Sequence, residues 1–409
     1  MQQHRLPRLA LLTLIVTVAT SPVLADSPDG GVVFNAAYTG DPVRNLSGGI
    51  RTGGTYLDNL DLQLAADRGA ILGIPGLSGL LYGLYNNAHQ FSEKYVGDAQ
   101  IVSNIEGPRA WRLYEAWLDW APIAGDGDRD TFSARLGLYD LNSEFDATET
   151  GGLFLNGAQG VGTDFGQSGE NGPSIFPVTS LALRLNATSS TGAYGQFAVL
   201  DGVPGDPADG SSNRIHLSGK DGALLVLEGG WSGGAWRKLA LGLWRYTADF
   251  DRLAATTPAG DPVRDDGNDG WYAIADRTLW SGGERTVAGF LRVGQADDRF
   301  NTFDGYLGVG GSLGGFVPGR PDDTVGVGMA VAFTGSEYRA ARALDGAGAD
   351  RHETSLELTY RAPLTSWLTI QPDIQYVINP GTDPALDNAL VVILRFELGY
   401  SKPLTRSDD

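Results

Sequence analysis

The chain has 409 residues, no cysteine, 58 glycines, nine tryptophans and a formal net charge of −19. No disulfide or thiolate–metal framework can hold it together, and its acidity argues against nucleic acid or an anionic membrane surface as partner. Glycine far above its average of about 7%, with mean hydropathy close to neutral, suits extended strands with polar walls better than a helical globule.

The N-terminus carries Arg5 and Arg8, and Leu9–Ala19 is an apolar run of signal-peptide length. That run is too short to span a bilayer comfortably. Val23-Leu24-Ala25 offers a cleavage site before Asp26, so residues 1–25 are predicted to be a signal peptide and 26–409 a single exported domain. No later segment has the apolar length of a membrane-spanning helix.

Beyond this point the chain reads as strands of period two separated by turn residues. Leu60, Leu62 and Leu64 alternate with Asn59, Asp61 and Gln63. Phe132, Ala134, Leu136 and Leu138 alternate with Ser133, Arg135 and Tyr139, and Leu181, Leu183 and Leu185 with Arg184 and Asn186. Leu239, Leu241 and Leu243 follow, then Val325 to Phe333 on odd positions against Gly326, Gly328, Ala330 and Ala332. Leu356, Leu358 and Tyr360 oppose Ser355, Glu357 and Thr359; Leu368, Ile370, Ile374 and Tyr376 oppose Thr369, Gln371, Asp373 and Gln375. The last run sets Leu390, Val392, Leu394, Phe396, Leu398 and Tyr400 against Val391, Ile393, Arg395 and Glu397. Weaker runs near 31–39, 76–86, 112–120, 193–201, 222–232, 270–280, 286–294 and 304–312 bring the total to about 16, the size of a barrel with an aqueous channel. Pro372 falls inside a strand and predicts a bulge or irregular pairing there.

Connections alternate in length. Thr188–Gly192, Ser232–Ala235, Ser281–Glu284 and Pro363–Ser366 suit short periplasmic turns, whereas Asn87–Trp111, Asp140–Thr179, Gly202–Lys220, Thr247–Asn268 and Gly335–Arg351 suit long extracellular loops. A connection as long as Asp140–Thr179 in a compact domain implies a function, here folding inward to narrow a pore. The fold class expected is therefore an all-β transmembrane antiparallel barrel, with one polar face inward and one apolar face to lipid.

Reactive chemistry is sparse. After the signal peptide His89, His216 and His352 are scattered, and no pair has metal-ligand spacing. The pattern G-x-S-x-G occurs around Ser232 and Ser312, but no helical pattern follows either, so both read as glycine-rich turns. No cofactor and no enzymatic activity are expected.

Several stretches, in order, resemble the carbohydrate-selective porins of the OprB type. They are Val102-Ser-Asn-Ile-Glu106, Leu113-Tyr-Glu-Ala-Trp117, Gly137-Leu-Tyr-Asp140 with Asn142-Ser-Glu-Phe145, Leu200-Asp-Gly-Val-Pro-Gly-Asp206, and Leu368 to Gly381. The resemblance implies a bacterial outer-membrane barrel of 16 strands, surrounded by outer-membrane lipid, that lets glucose and related monosaccharides diffuse into the periplasm without energy coupling. One departure is that Tyr400 is followed by Ser401 to Asp409, whereas such barrels commonly end on an aromatic residue.

A sugar-selective channel needs hydrogen-bonding groups and aromatic surface at a narrow point, and must release what it binds. In the run 112–120 Tyr114, Ala116, Leu118 and Trp120 read as lipid-facing, which turns Glu115, Trp117 and Asp119 inward. Arg135, Arg184, Arg292 and Arg395 with Glu397 share the inward parity. The expected sugar contacts are Glu115, Arg135 and Arg184, with Trp117 as a stacking face and Glu106 as a loop contribution. Trp120, Trp231, Trp280 and Tyr400 suit interfacial girdles. Other readings are a general, cation-preferring porin, a barrel hydrolase and a soluble secreted β protein. Lipid-facing and subunit-facing strands look alike in sequence, so a monomer and a homotrimer are both compatible.

Overall fold

The structure, a computed structural model, describes residues 31–404 apart from 67–70, 72, 88, 89, 124–129, 210–214 and 216. The expected signal peptide, His89, His216 and the last five residues lie outside the described residues. In chain order the strands are β1 (Val32–Gly49), β2 (Gly53–Ala66), β3 (Leu77–Asn86), β4 (Ala110–Ile123), β5 (Thr131–Tyr139), β6 (Ser180–Thr188), β7 (Ala193–Asp201), β8 (Ala223–Gly233) and β9 (Trp236–Tyr246). There follow β10 (Phe250–Thr256), β11 (Pro262–Asp265), β12 (Asp269–Gly282), β13 (Arg285–Ala296), β14 (Phe303–Gly314), β15 (Thr324–Thr334), β16 (His352–Thr365), β17 (Leu368–Ile378) and β18 (Asp387–Pro403). All but β10 and β11 form one closed antiparallel barrel of 16 strands. β1 pairs with β2 on one side and β18 on the other, from Val33 opposite Pro403 to Gly49 opposite Asp387. Closure leaves no unpaired edge, which is the condition for a sheet to exist in hydrocarbon.

The two faces differ as the alternation requires. Leu183, Leu241, Val327, Leu358 and Leu394 are exposed on the outside, while Arg184, Glu357, Gln371, Arg395 and Glu397 are buried within. Trp111, Trp120, Trp280, Trp367 and Tyr400 are exposed near strand ends. β18 continues past Tyr400, which pairs with Ala36, to Pro403.

Two local expectations need correction, and a third, at Pro372, is met in part. The β3–β4 register slips between Tyr82 opposite Glu115 and Gly83 opposite Leu113. Tyr114 is the extra residue of this bulge and turns inward, although strict alternation predicted it toward lipid. Pro372 gives the irregular pairing expected of it but no bulge: it pairs with Leu394, and the ladder toward β16 skips it in register, from Asp373 with Thr359 to Ile370 with Ala362. Proline has no N–H to give, so the ladder tolerates a gap without an insertion. Gly310 and Gly314, read as turn glycines around Ser312, lie within β14.

The long connections leave one end of the barrel and most of the short turns the other. Connection 247–268 holds the hairpin β10–β11, and 335–351 holds a helix, Ser336–Leu344. Neither was evident from the alternation. Connection 140–179 folds into the lumen and is stitched around the wall. Glu228 on β8 accepts the Asp146 N–H at 3.1 Å, and Asp276 on β12 accepts the Thr150 N–H at 2.8 Å. Glu357 on β16 accepts from Leu155 and Asn156, Gln371 on β17 donates to the Leu153 carbonyl at 2.8 Å, and Tyr306 on β14 donates to the Ala158 carbonyl at 2.6 Å. Small inward residues make room for it: a Cβ on Gly328 would lie 2.7 Å from the Gln159 side chain and 2.9 Å from the Phe154 ring, and one on Gly326 2.6 Å from Leu153.

Candidate functional site

Most of the expected site residues gather on β4, β5 and β6. On β4, positions 115, 117 and 119 point inward at successive alternate sites, and Asp119 pairs across the ladder with Arg135, which pairs in turn with Arg184 on β6. Arg135 donates from Nε to Asp119 Oδ2 at 3.1 Å, and its Nη2 lies 3.6 Å from Glu144 Oε1. Arg184 donates to the same Asp119 oxygen at 2.8 Å, to Glu144 Oε2 at 2.8 Å and to Glu144 Oε1 at 3.0 Å. Two guanidiniums and two carboxylates thus form one charge-assisted network, with short and directional bonds.

Glu144 was not singled out from the sequence. It belongs to connection 140–179, where no periodicity marks orientation, although its stretch Asn142 to Phe145 carries part of the family resemblance. Lys238 Nζ on β9 and Gln196 Nε2 on β7 hold its backbone carbonyl at 3.0 and 3.2 Å, and Tyr139 donates to its carboxylate. Burial works against its charge, yet Arg135 and Arg184 together hold Glu144 below the usual carboxylate range.

The other expected residues occupy different places. Glu115 is buried, and its Oε2 accepts the Trp117 indole N–H at 2.9 Å and the Asp140 N–H at 3.3 Å. Trp117 is also buried, and its ring carries the Arg135 guanidinium at 3.9 Å, so that face is covered rather than open to a sugar. The inward-turned Tyr114 donates to Asp140 Oδ2 at 2.6 Å, behind the same wall. Glu106 sits apart from this network. Its carboxylate accepts the Ser92 N–H at 3.0 and 3.2 Å, closing connection 87–109 on itself. Burial first, then Asp98, pushes Glu106 up to about 8.

Arg292 and Arg395 face inward as expected but are enclosed. Arg292 grips Asp146 at 3.0 and 2.7 Å and also Asp164. Arg395 grips Asp41 at 2.9 and 2.8 Å, with the Ser103 hydroxyl also bonded to Asp41 at 2.7 Å. The Arg292 pairs tie connection 140–179 to β13, whereas Arg395 and Asp41 join β18 to β1 within the wall, and Ser103 brings connection 87–109 onto Asp41. Among the described residues no group of three or more acidic or histidine side chains is arranged to hold a metal ion.

The sequence of this closed barrel matches the profile of one family, "Carbohydrate-selective porin, OprB family", over residues 51–400. The chain belongs to that family. Porin B of Pseudomonas aeruginosa is 26% identical over 404 residues, covering 90% of this chain and 87% of that protein. The high-pH structure of Pseudomonas putida OprB aligns with a TM-score of 0.78 at 24% identity, covering 90% of this chain and 94% of that one. An anion-selective porin from Comamonas acidovorans aligns at 0.52 and 12% identity, over 91% of this chain and 100% of that one, which speaks for the barrel architecture alone. This OprB-family porin is a sugar channel of the bacterial outer membrane, with its apolar face toward lipid.

Proposed function

We propose that this porin passes monosaccharides one at a time through the gap beside Arg135 and Glu144, passively and with no covalent step. The observation that carries the reading is exposure. Within the network, Arg184 and Asp119 keep only 3% and 10% of their side-chain surface, whereas Arg135 keeps 14% and Glu144 27%. A neutral sugar there meets a fork of donors and a carboxylate acceptor, the pair of groups that vicinal hydroxyls satisfy together. Both groups already bond within the protein, so a sugar competes for them and leaves readily, as conduction requires. Arg184 acts from behind, by holding Glu144. The pathway is assembled from one chain, so the monomer is the transporting unit whether or not copies associate as a homotrimer.

Liposome swelling tests this. Monosaccharides should enter faster than disaccharides and faster than size-matched amino acids or peptides; equal rates would remove the selectivity.

A second reading, a general cation-preferring pore, rests on the net charge of −19. Against it, Glu228, Asp276, Glu353 and Glu357 are buried under the inward connections, where they face backbone amides rather than water. The reversal potential across a planar bilayer in a salt gradient separates the two.

A further inference from the structure

We propose that Glu115 is a positioning residue for the sugar contact: by holding the Trp117 indole it fixes the platform on which the Arg135 guanidinium rests. The inference depends on Arg135 being a sugar contact, as read above.

Three alternate positions of β4 build a cradle. Glu115 accepts the Trp117 Nε1–H at 2.9 Å, Trp117 lays its ring under Arg135 at 3.9 Å, and Asp119 takes the Arg135 Nε–H at 3.1 Å. An arginine on a strand ordinarily samples many rotamers. Here one face of the guanidinium is covered and one edge is bonded, so the Nη groups are left directed at Glu144 and the lumen. A donor already held in its bound geometry loses less freedom when a sugar arrives. Glu115 itself is 1% exposed and reaches no water. It cannot act by touching a sugar, yet the Asp140 N–H on the same oxygen anchors it to the start of connection 140–179. Among the described residues its other oxygen, Oε1, is buried with no hydrogen-bond partner. An amide at this position would therefore keep the one acceptor that matters.

The test is a set of variants in the full-length porin, each checked for the heat-dependent electrophoretic shift of a folded barrel. The readouts are glucose block of ion current and hydrogen exchange of the Trp117 indole N–H. Glu115→Leu is expected to raise the half-block concentration about tenfold, the scale of one lost hydrogen bond to a charged group, and to expose the indole N–H to exchange. Glu115→Gln should stay near the parent in both readouts. Trp117→Phe, which keeps an aromatic face and the buried Glu115, has no indole N–H to follow, and its half-block concentration should lie between theirs, so the prediction survives a folding defect in Glu115→Leu. Glu115→Leu combined with Arg135→Ala should be no weaker than Arg135→Ala alone.

The proposal is overturned if Glu115→Gln behaves as Glu115→Leu, if the double variant loses block additively, or if the parent indole N–H exchanges as fast as an exposed tryptophan such as Trp111. Absence of glucose block in the parent overturns the reading of Arg135 instead. In that case the indole exchange still reports whether Glu115 holds Trp117.

Discussion

Arg135 and Arg184 stand directly opposite one another on neighbouring antiparallel strands. Like charges in that arrangement repel, and what reconciles them is a single oxygen, Asp119 Oδ2, bonded to both guanidiniums at 3.1 and 2.8 Å. Glu144 clasps the pair from the lumen side. Removing Asp119 should therefore cost more than removing either arginine. Asp119→Ala is expected to destabilise the barrel by about 3 kcal/mol, the lower end of what breaking a buried pair costs. Arg135→Ala, which relieves the repulsion as it deletes a partner, should cost less. Urea unfolding in detergent, followed by circular dichroism, gives the comparison, and a smaller loss for Asp119→Ala than for Arg135→Ala would contradict the account.

Arg135→Ala should leave a folded barrel but raise the half-block concentration for glucose at least about tenfold, or about 1.4 kcal/mol. Arg135→Lys should recover only part of this, because an ammonium keeps the charge but cannot bond two partners with one planar fork. Current noise in planar bilayers measures both. An unchanged half-block concentration would make Arg135 a wall residue only.

Gly328→Leu probes the seating of connection 140–179. A side chain there meets Gln159 and Phe154 at distances no real Cβ tolerates, so it should displace the loop toward the lumen centre or release it. Overpacking of this kind costs about 1–3 kcal/mol. Single-channel conductance should change, with weaker sugar block. Unaltered conductance and block would show that the inner wall has slack the structure does not suggest.

Glu106 predicts a pH effect whose sign can be worked out. Burial and Asp98 hold its proton to about pH 8 in the folded chain, against about 4.3 for an ordinary glutamate. The folded state binds the extra proton, so docking of connection 87–109 is strongest below about pH 4.3 and weakens as pH rises to 8. Asp98, raised by burial to about 6, contributes to the lower part of the same window. Amide exchange around Ser92, corrected for intrinsic rates, should show less protection at pH 9 than at pH 5. Glu106→Gln should flatten the upper part of that change, and protection independent of pH in the parent would refute the assignment.

The strands were legible because the barrel sets two different solvents against its faces, so the adjacent residues Leu183 and Arg184 declare opposite sides. Where a third party intervenes, the period misleads. Tyr114 turns inward because a bulge and a partner, Asp140, outweigh the alternation, and nothing local in Leu113-Tyr-Glu marks that. Gly310 looks like a turn glycine, and Gly328 like any small inward strand position, until the Phe154 ring that they accommodate is in view. Glu144 was invisible as a site residue for the same reason: its orientation is set by Lys238 and Gln196, far away in the chain. Trp117 was placed inward correctly, but its use as a platform for Arg135 depends on a cross-strand neighbour that no single run reveals.

The carboxylates of Glu228, Asp276, Glu353 and Glu357 hold the inward connections largely by main-chain N–H groups. Every residue type except proline supplies that donor. The side chains that the connections turn toward the channel can therefore be exchanged without undocking the segments that bear them. Mutation on that channel-facing side is expected to leave the architecture in place, except at side chains such as Glu144 that are themselves bonded to the wall.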